Sequence, residues 1–125
     1  MWEDHFDPNH RYRAHVVSVY DGDTITVNVN LGFNIIMNNQ KIRLFGINTP
    51  EVRGEERPEG LKIKEIVKNM IEGKDIILYT ISDKNGNDKT GSFKRYLGII
   101  VTQDGINVNK YLIDNNYAEV FMRKA

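Results

Sequence analysis

Polar and apolar residues alternate without interruption in the run TITVNVNL, residues 24–31. Because successive side chains of a β-strand point to opposite faces, this pattern predicts a strand with one buried face. The apolar side of that strand consists of Ile25, Val27, Val29 and Leu31. A β-rich run over residues 12–20 precedes it across the turn Asp21-Gly22-Asp23, and a third strand over 41–47 follows a turn near Asn38 and Asn39. The three strands predict an antiparallel meander.

One later segment has the apolar spacing of a helix. Between residues 59 and 72, apolar side chains recur at steps of three and four, and Gly73 stands where helices often end. Two further strands are predicted over 75–81 and 95–102, and a short second helix over 108–115. This order predicts an α+β fold, mainly β: a five-stranded OB-fold Greek-key barrel with a helix between strands three and four and a short C-terminal helix. Many such barrels bind oligonucleotides or sugars, which is an analogy of fold only.

The length and composition narrow the classes of protein. A chain of 125 residues predicts one domain, over 12–125, behind a loose N-terminal arm of residues 1–11. The absence of cysteine excludes disulfides, zinc ribbons, iron–sulfur clusters and thiol nucleophiles. A formal net charge of zero argues against a broad nucleic-acid coat. No apolar run approaches the ~18 residues of a membrane span, and no secretory signal is visible, so we expect an intracellular or phage-encoded protein rather than a secreted one.

Charged side chains occur at the ends of the predicted strands. Asp21 and Asp23 lie in the first turn, Arg43 in the third strand, Glu51 in the loop after it, and Arg95 at the start of the fifth strand. Each has an ordinary alternative, since DGD is a common hairpin turn and a strand arginine often faces solvent or forms a salt bridge. Together, carboxylates can hold a divalent cation, two arginines can bind a phosphate, and a further carboxylate can activate a water. These are the parts of a metal-assisted phosphodiesterase.

Four segments carry a resemblance to a known family. They read VYDGDTITV, IRLFGINTPE, GSFKRYLG and NVNKYLIDNNYAEV, in that order, within residues 12–121. In these motifs the sequence resembles the staphylococcal nuclease-like (thermonuclease) family. The resemblance implies an OB-fold and calcium-dependent hydrolysis of phosphodiester bonds in DNA and RNA, leaving 3′-phosphate ends. We expect a monomer that acts on DNA and/or RNA, preferably single-stranded, and has no membrane partner.

The resemblance also implies a calcium site. Asp23 matches the family's metal-binding aspartate, and Thr49 matches a threonine whose backbone carbonyl helps to bind calcium. Asn48 stands where the best-known members have a second calcium-binding aspartate. Its amide oxygen can still bind calcium, but one negative charge is lost. Asp21 matches a residue that shapes the turn and the water shell of the metal, and is not counted as a direct ligand.

Three residues are implied to be catalytic. Arg43 matches the phosphate-binding arginine, Glu51 the general base, and Arg95 the arginine that stabilises the transition state and the leaving oxygen. Phe93 and Lys94 join the two arginines as expected substrate-binding residues. Phe93 stands where the best-known members have a tyrosine that hydrogen-bonds the phosphate, so only stacking remains at this position.

Two alternatives to an active nuclease stay open at the level of sequence. A nucleic-acid-binding module of the same fold, with weak or no turnover, is favoured by Asn48 and Phe93. Met122 and Arg123 occupy the region where family tyrosines stack on the substrate base, so we expect weaker nucleotide binding. The presence of Glu51 and both arginines favours the enzyme, because a binding module does not need a free carboxylate beside phosphate. A barrel that binds proteins or sugars is the third possibility.

Overall fold

The structure, a computed structural model, describes residues 2–82, 87–90 and 95–121. In chain order its strands and helices are β1 (Arg11–Asp21), β2 (Thr24–Gly32), β3 (Ile35–Leu44), β4 (Ile47–Asn48), α1 (Arg57–Ile71), β5 (Asp75–Thr80), β6 (Tyr96–Val101), α2 (Val108–Asp114) and β7 (Glu119–Val120). Single 3-10 turns lie at Glu3–His5, Pro8–His10 and Gly54–Glu56. The predicted α+β fold with mainly β structure is confirmed.

The five longer strands close into a barrel in the order β1-β2-β3-β6-β5. The first three form the predicted antiparallel meander, and β5 returns to pair with β1. The barrel is completed by a parallel pairing of β3 with β6, which covers three residue pairs, from Ile42–Tyr96 to Leu44–Gly98. This is the arrangement of an OB-like barrel. It brings the end of β3 beside the start of β6, two places where the sequence has an arginine.

The alternation of β2 sets its buried face as predicted, with one exception. Ile25, Val27 and Val29 are buried in the barrel core, whereas Leu31 is 41% exposed. The difference arises because β1 pairs with β2 only as far as Asn30, so the end of the β2–β3 hairpin extends past the barrel. The core itself is made of valine, isoleucine and leucine side chains from the strands and both helices.

The turn between β2 and β3 differs from the prediction. It is a two-residue loop of Phe33 and Asn34, with φ of 53° and 63°, between the paired residues Gly32 and Ile35. Asn39, the residue on which the predicted turn was centred, lies inside β3 with φ of 57°. There the register of β2 and β3 shifts, and the side chain of Asn28 accepts the N–H of Asn39 at 2.9 Å. The predicted turn is wrong because asparagine tolerates the left-handed conformation in a β-bulge as well as in a turn.

Both helices are anchored on the barrel. Helix α1 packs on β1 with its buried side chains Ile63, Val67 and Ile71, and Gly73 follows its end with φ of 74°, as predicted. Helix α2 is held by Asn109, a fully buried polar residue. The amide of Asn109 donates to the carbonyls of Phe45 and Gly98, each at 3.0 Å, and its oxygen accepts the N–H of Ile100 at 3.1 Å. One side chain of α2 therefore ties together β6 and the residue that follows β3.

Residues 2–10, expected as a loose arm, lie against the barrel in the structure. Trp2 is buried in the core, and the ring of His5 packs against Phe45 with 4.8 Å between centroids. Phe6 packs against Tyr79 at 4.9 Å in the same edge-to-face manner. These aromatic rings remove apolar surface from water, which a polar composition of the segment did not indicate. No helix of the described residues is both long enough and apolar enough to cross a membrane.

Candidate active site

A cleft of about 1010 Å³ opens where the β1–β2 turn, the end of β3 and the start of β6 meet. Six of the residues singled out from the sequence line it: Asp21, Asp23, Arg43, Asn48, Glu51 and Arg95. Thr49 is buried beside them. Phe93 and Lys94 lie outside the described residues, as do Met122 and Arg123.

The strand register explains why these residues meet. Thr24, the first residue of β2, pairs with Arg43 on β3, and Arg43 pairs in turn with Leu97 on β6. Arg95 immediately precedes β6, and its Nη1 donates to the hydroxyl of Thr24 at 3.1 Å. The β1–β2 turn is joined to β3 by the N–H of Leu44, which donates to the carbonyl of Asp23 at 2.8 Å. Backbone pairing among β2, β3 and β6 thus brings Asp23, Arg43 and Arg95 together.

Asp23 links the turn to the loop after β3. Its carboxylate is buried, and one oxygen accepts the backbone N–H of Thr49 at 2.9 Å. The same oxygen lies 3.3 Å from Nη1 of Arg43, and the other accepts the hydroxyl of Thr24 at 3.3 Å. Because Thr49 and Arg43 are distant in the chain, the position of this carboxylate is set largely by the tertiary fold.

Arg43 is held in place by the carbonyls around it. Nη1 donates to the carbonyl oxygens of Leu44 at 3.1 Å and Ile47 at 3.0 Å, and Nη2 donates to Oδ1 of Asn48 at 3.2 Å. The sequence offered a salt-bridged arginine as the ordinary alternative, and the contact with Asp23 is such a pair. The guanidinium nevertheless lines the cleft, so it has both an acidic partner and access to a ligand.

Asp21 adds negative charge that is only partly compensated. Its buried carboxylate accepts the N–H of Asp23 at 3.1 Å. The pKa of Asp21 is raised to about 7, chiefly by burial, then by the negative charge of Asp23, with a smaller contribution from Glu51. Three carboxylates therefore share a cleft in which an added cation would be stabilised.

The donor atoms of this region suit calcium. They are carboxylate, amide, hydroxyl and carbonyl oxygens, which calcium prefers, and Oγ1 of Thr49 is buried without a hydrogen-bond partner among the described residues. No group of three His, Cys, Asp or Glu side chains in the described ranges is arranged to hold a metal by itself. A bound cation would thus need Asn48, the carbonyl of Thr49, water or substrate oxygens in addition to Asp23. Oδ1 of Asn48 already accepts a hydrogen bond from Arg43. A cation bound there would share the lone pairs of this oxygen with Arg43.

Residues 41–125 match the family described as Staphylococcal nuclease homologue. The chain belongs to this family. The matched range is more than half of the chain and contains Arg43, Glu51 and Arg95, while Asp21 and Asp23 precede it.

Two further proteins are similar to this chain in sequence. The uncharacterized protein MJ1439 of Methanocaldococcus jannaschii is 28% identical over 93% of this chain and 62% of its own length. Endonuclease YhcR of Bacillus subtilis is 28% identical over 88% of this chain and 9% of its own length. The chain therefore spans less than two-thirds of the first relative and about a tenth of the second.

The nuclease homologue also has site residues that sequence reasoning missed. Gly60, in the first turn of α1, lies against the loop that carries Glu51, and a Cβ at this position would collide with the carbonyl of Glu51. Gly22 is also confined, because a Cβ there would lie 2.8 Å from Cγ2 of Thr49. A glycine inside a helical pattern often indicates that another part of the backbone approaches the helix closely, and Gly60 is such a glycine. Thr24, which contacts both Asp23 and Arg95, was visible only as part of the DGDT motif.

Proposed function

We propose that this chain is a nuclease that hydrolyses phosphodiester bonds of DNA and/or RNA in a calcium-dependent reaction and leaves 3′-phosphate ends. The observation that carries the proposal is the meeting of Arg43, Arg95 and Glu51 in one cleft with two buried aspartates. A nuclease-type function is supported by the family and by the relative named Endonuclease. Single-stranded nucleic acid is the expected substrate, because a strand separated from its partner can enter such a cleft.

In the proposed reaction, the exposed carboxylate of Glu51 orients a water and accepts its proton. The water oxygen forms a bond to phosphorus, and the bond from phosphorus to the 5′ oxygen breaks. The 5′ oxygen leaves with that electron pair and takes up a proton from solvent, and the phosphate stays attached to the 3′ oxygen. Arg43 and Arg95 donate hydrogen bonds to the phosphate oxygens as negative charge accumulates, and Arg95 also stabilises the departing 5′ oxygen. The buried contacts of Arg43 keep its guanidinium oriented before substrate arrives.

Asp23, Asn48 and the carbonyl of Thr49 would hold the calcium ion, with Asp21 supplying further negative charge nearby. When bound, calcium would neutralise charge on the phosphate. This assignment rests on the oxygen donors of the cleft. Burial and then the charge of Asp23 raise the pKa of Asp21, so its ionised form would be stabilised by a nearby cation.

A calcium titration with a fluorescent single-stranded oligonucleotide, with and without chelator, tests the proposal. We expect cleavage at millimolar calcium, and a loss of at least about a hundredfold in kcat for Glu51→Gln and for Arg95→Ala. Glu55→Gln, at an exposed glutamate of the same loop that does not line the cleft, is the matched control and should cleave normally. Circular dichroism checks that each variant is folded.

Absence of cleavage by the parent chain at millimolar calcium would overturn the proposal that it is a nuclease. The contacts of Arg43 with Asn48 and two carbonyls favour the second candidate, a binding module, because they occupy donors that phosphate would otherwise use. Binding of the same oligonucleotide without cleavage would then support that module.

A further inference from the structure

Tyr20 and Arg53 form a pair at the edge of the cleft that the proposed reaction does not use. Tyr20 is 48% exposed and precedes Asp21, and both it and Arg53 line the cleft. Nη2 of Arg53 donates to the Tyr20 hydroxyl at 2.6 Å. An aromatic ring and a guanidinium are therefore held together by this hydrogen bond. Arg53 lies two residues after Glu51 in the chain.

The backbone of β1 turns the Tyr20 ring toward the cleft. Val19 pairs with Ile25 and Asp21 pairs with Thr24, so Tyr20 is the extra residue of a β-bulge. Bulges re-aim side chains and are common next to functional sites. Val19 and Asp21 are both buried, and the ring between them is left on the surface instead of in the core.

Positive charge lies on two sides of the carboxylates. Arg53 and Lys64 line the side formed by the loop and α1; Lys64 follows Ile63, the helix residue that closes over Gly22. On the barrel side, Lys41 and Lys89 line the cleft. We consider a single strand whose cleavable phosphate lies between these two groups of cations. The phosphates before and after the cleavable one would then each lie near a positive side chain.

We propose that Tyr20 and Arg53 form a subsite for the nucleotide next to the cleavable phosphate of single-stranded nucleic acid. The base stacks on the Tyr20 ring, and the adjoining phosphate pairs with the Arg53 guanidinium. Stacking of this kind accepts any base, so the subsite adds affinity without sequence preference. The hydroxyl contact with Arg53 restricts the ring before the base arrives, which lowers the entropy cost of binding. The inference rests on the proposed nuclease function, since it takes the same strand through the same cleft.

Fluorescence anisotropy tests the subsite in a Glu51→Gln background, which prevents cleavage, with calcium present. Labelled single strands of about two to six nucleotides are compared, and affinity should rise about tenfold or more at the length that reaches Tyr20. Tyr20→Val, which keeps a strand-forming residue, should abolish this gain and leave the affinity of the shortest strand unchanged. Arg53→Ala should weaken the longer strands several-fold and reduce the log–log salt slope by about one.

Two controls separate the subsite from general effects. Tyr20→Phe keeps the ring and should retain most of the length-dependent gain. Arg13→Ala removes an exposed arginine of β1 that does not line the cleft, and it should change neither the gain nor the salt slope. If Tyr20→Val does not fold by circular dichroism, Arg53→Ala carries the test, because Arg53 lies in an exposed loop.

An unchanged gain in Tyr20→Val and unchanged binding in Arg53→Ala would overturn the subsite. Cleavage by the parent chain together with that result would leave the proposed nuclease intact. If the parent chain does not cleave but Tyr20→Val still removes the gain, the proposed chemistry fails and the subsite stands.

Discussion

The folded structure disfavours the ionised form of Asp21. Its pKa of about 7 compares with an ordinary carboxyl value of 3.8, chiefly because of burial and then because of Asp23. The folded chain thus holds this proton more tightly than the unfolded chain. The free energy of unfolding therefore falls as the pH rises from about 4 to about 7, and the whole penalty is present above that range.

In the presence of chelator, we expect the melting temperature to be several degrees higher near pH 5.5 than near pH 8. Asp21→Asn cannot ionise at this site, so it should remove most of that difference and raise the melting temperature near pH 8. Scanning calorimetry measures both effects, with Glu65→Gln on the exposed face of α1 as the control. An equal pH dependence in Asp21→Asn and the parent chain would assign the effect to other groups.

Gly60 acts on the site through the backbone of Glu51. Alanine is a better helix former than glycine by ~1 kcal/mol, yet its Cβ would collide with the Glu51 carbonyl. We expect Gly60→Ala to displace the loop and to lower kcat about tenfold or more, with the helix retained by circular dichroism. Lys62→Ala, at an exposed position of the same helix, should cleave normally. A normal kcat in Gly60→Ala would mean that the loop can shift while the Glu51 carboxylate keeps its position in the cleft.

At the scale of elements, the β2–β3 hairpin contains a strained turn. Phe33 is 96% exposed and has φ of 53°, a conformation that bulky side chains rarely adopt. Turns with two left-handed residues favour asparagine at this place. Phe33→Asn should therefore increase the free energy of unfolding by about 1 kcal/mol.

Urea unfolding of both proteins measures this change. Leu31→Asn, an exposed apolar position of the same hairpin without left-handed φ, tests whether lost apolar surface explains the effect. Equal or lower stability of Phe33→Asn would show that the ring makes a contact worth more than the strain.

Elements with a local pattern were predictable from the sequence, and those set by distant pairing were not. The alternation of β2 and the helical spacing of α1 depend on neighbours in the chain, and both elements are present. The β2–β3 turn was misplaced because Asn38 and Asn39 have turn chemistry and Phe33 does not. The bulge at Tyr20 follows from the register of β1 against β2, which no local run of residues reveals.

For the candidate site, the motifs named its residues but not their contacts. Asp23, Arg43, Glu51 and Arg95 line one cleft, as their resemblance to a family implied. That Arg43 would donate to two backbone carbonyls depends on the curvature of the chain after β3, which residue types alone do not specify. Their individual roles remain predictions for the variants described above.

At the scale of the whole molecule, electrostatics predict weak steering of nucleic acid. The formal net charge is zero, so attraction depends on the few cations that line the cleft. With about three or four phosphate contacts on a single strand, the log–log salt slope of binding should be roughly −2 to −3. Anisotropy of the Glu51→Gln variant over a salt series measures it. A slope steeper than about −5 would require a far larger basic surface.

The parallel pairing of β3 with β6 is the shortest seam of the barrel, with three residue pairs against seven between β1 and β2. Arg43 lies on one side of this seam and Arg95 precedes the other. Beyond these pairs the seam is reinforced by the N–H of Phe45, which donates to the carbonyl of Gly98 at 2.8 Å, and by Asn109, which donates to carbonyls on both sides. Separation of β3 from β6 would move the two guanidiniums apart and would also break the Asn109 contacts that anchor α2. The arginine pair and the anchor of α2 therefore depend on the same short seam, so we expect the proposed catalysis and the docking of α2 to be lost together on heating.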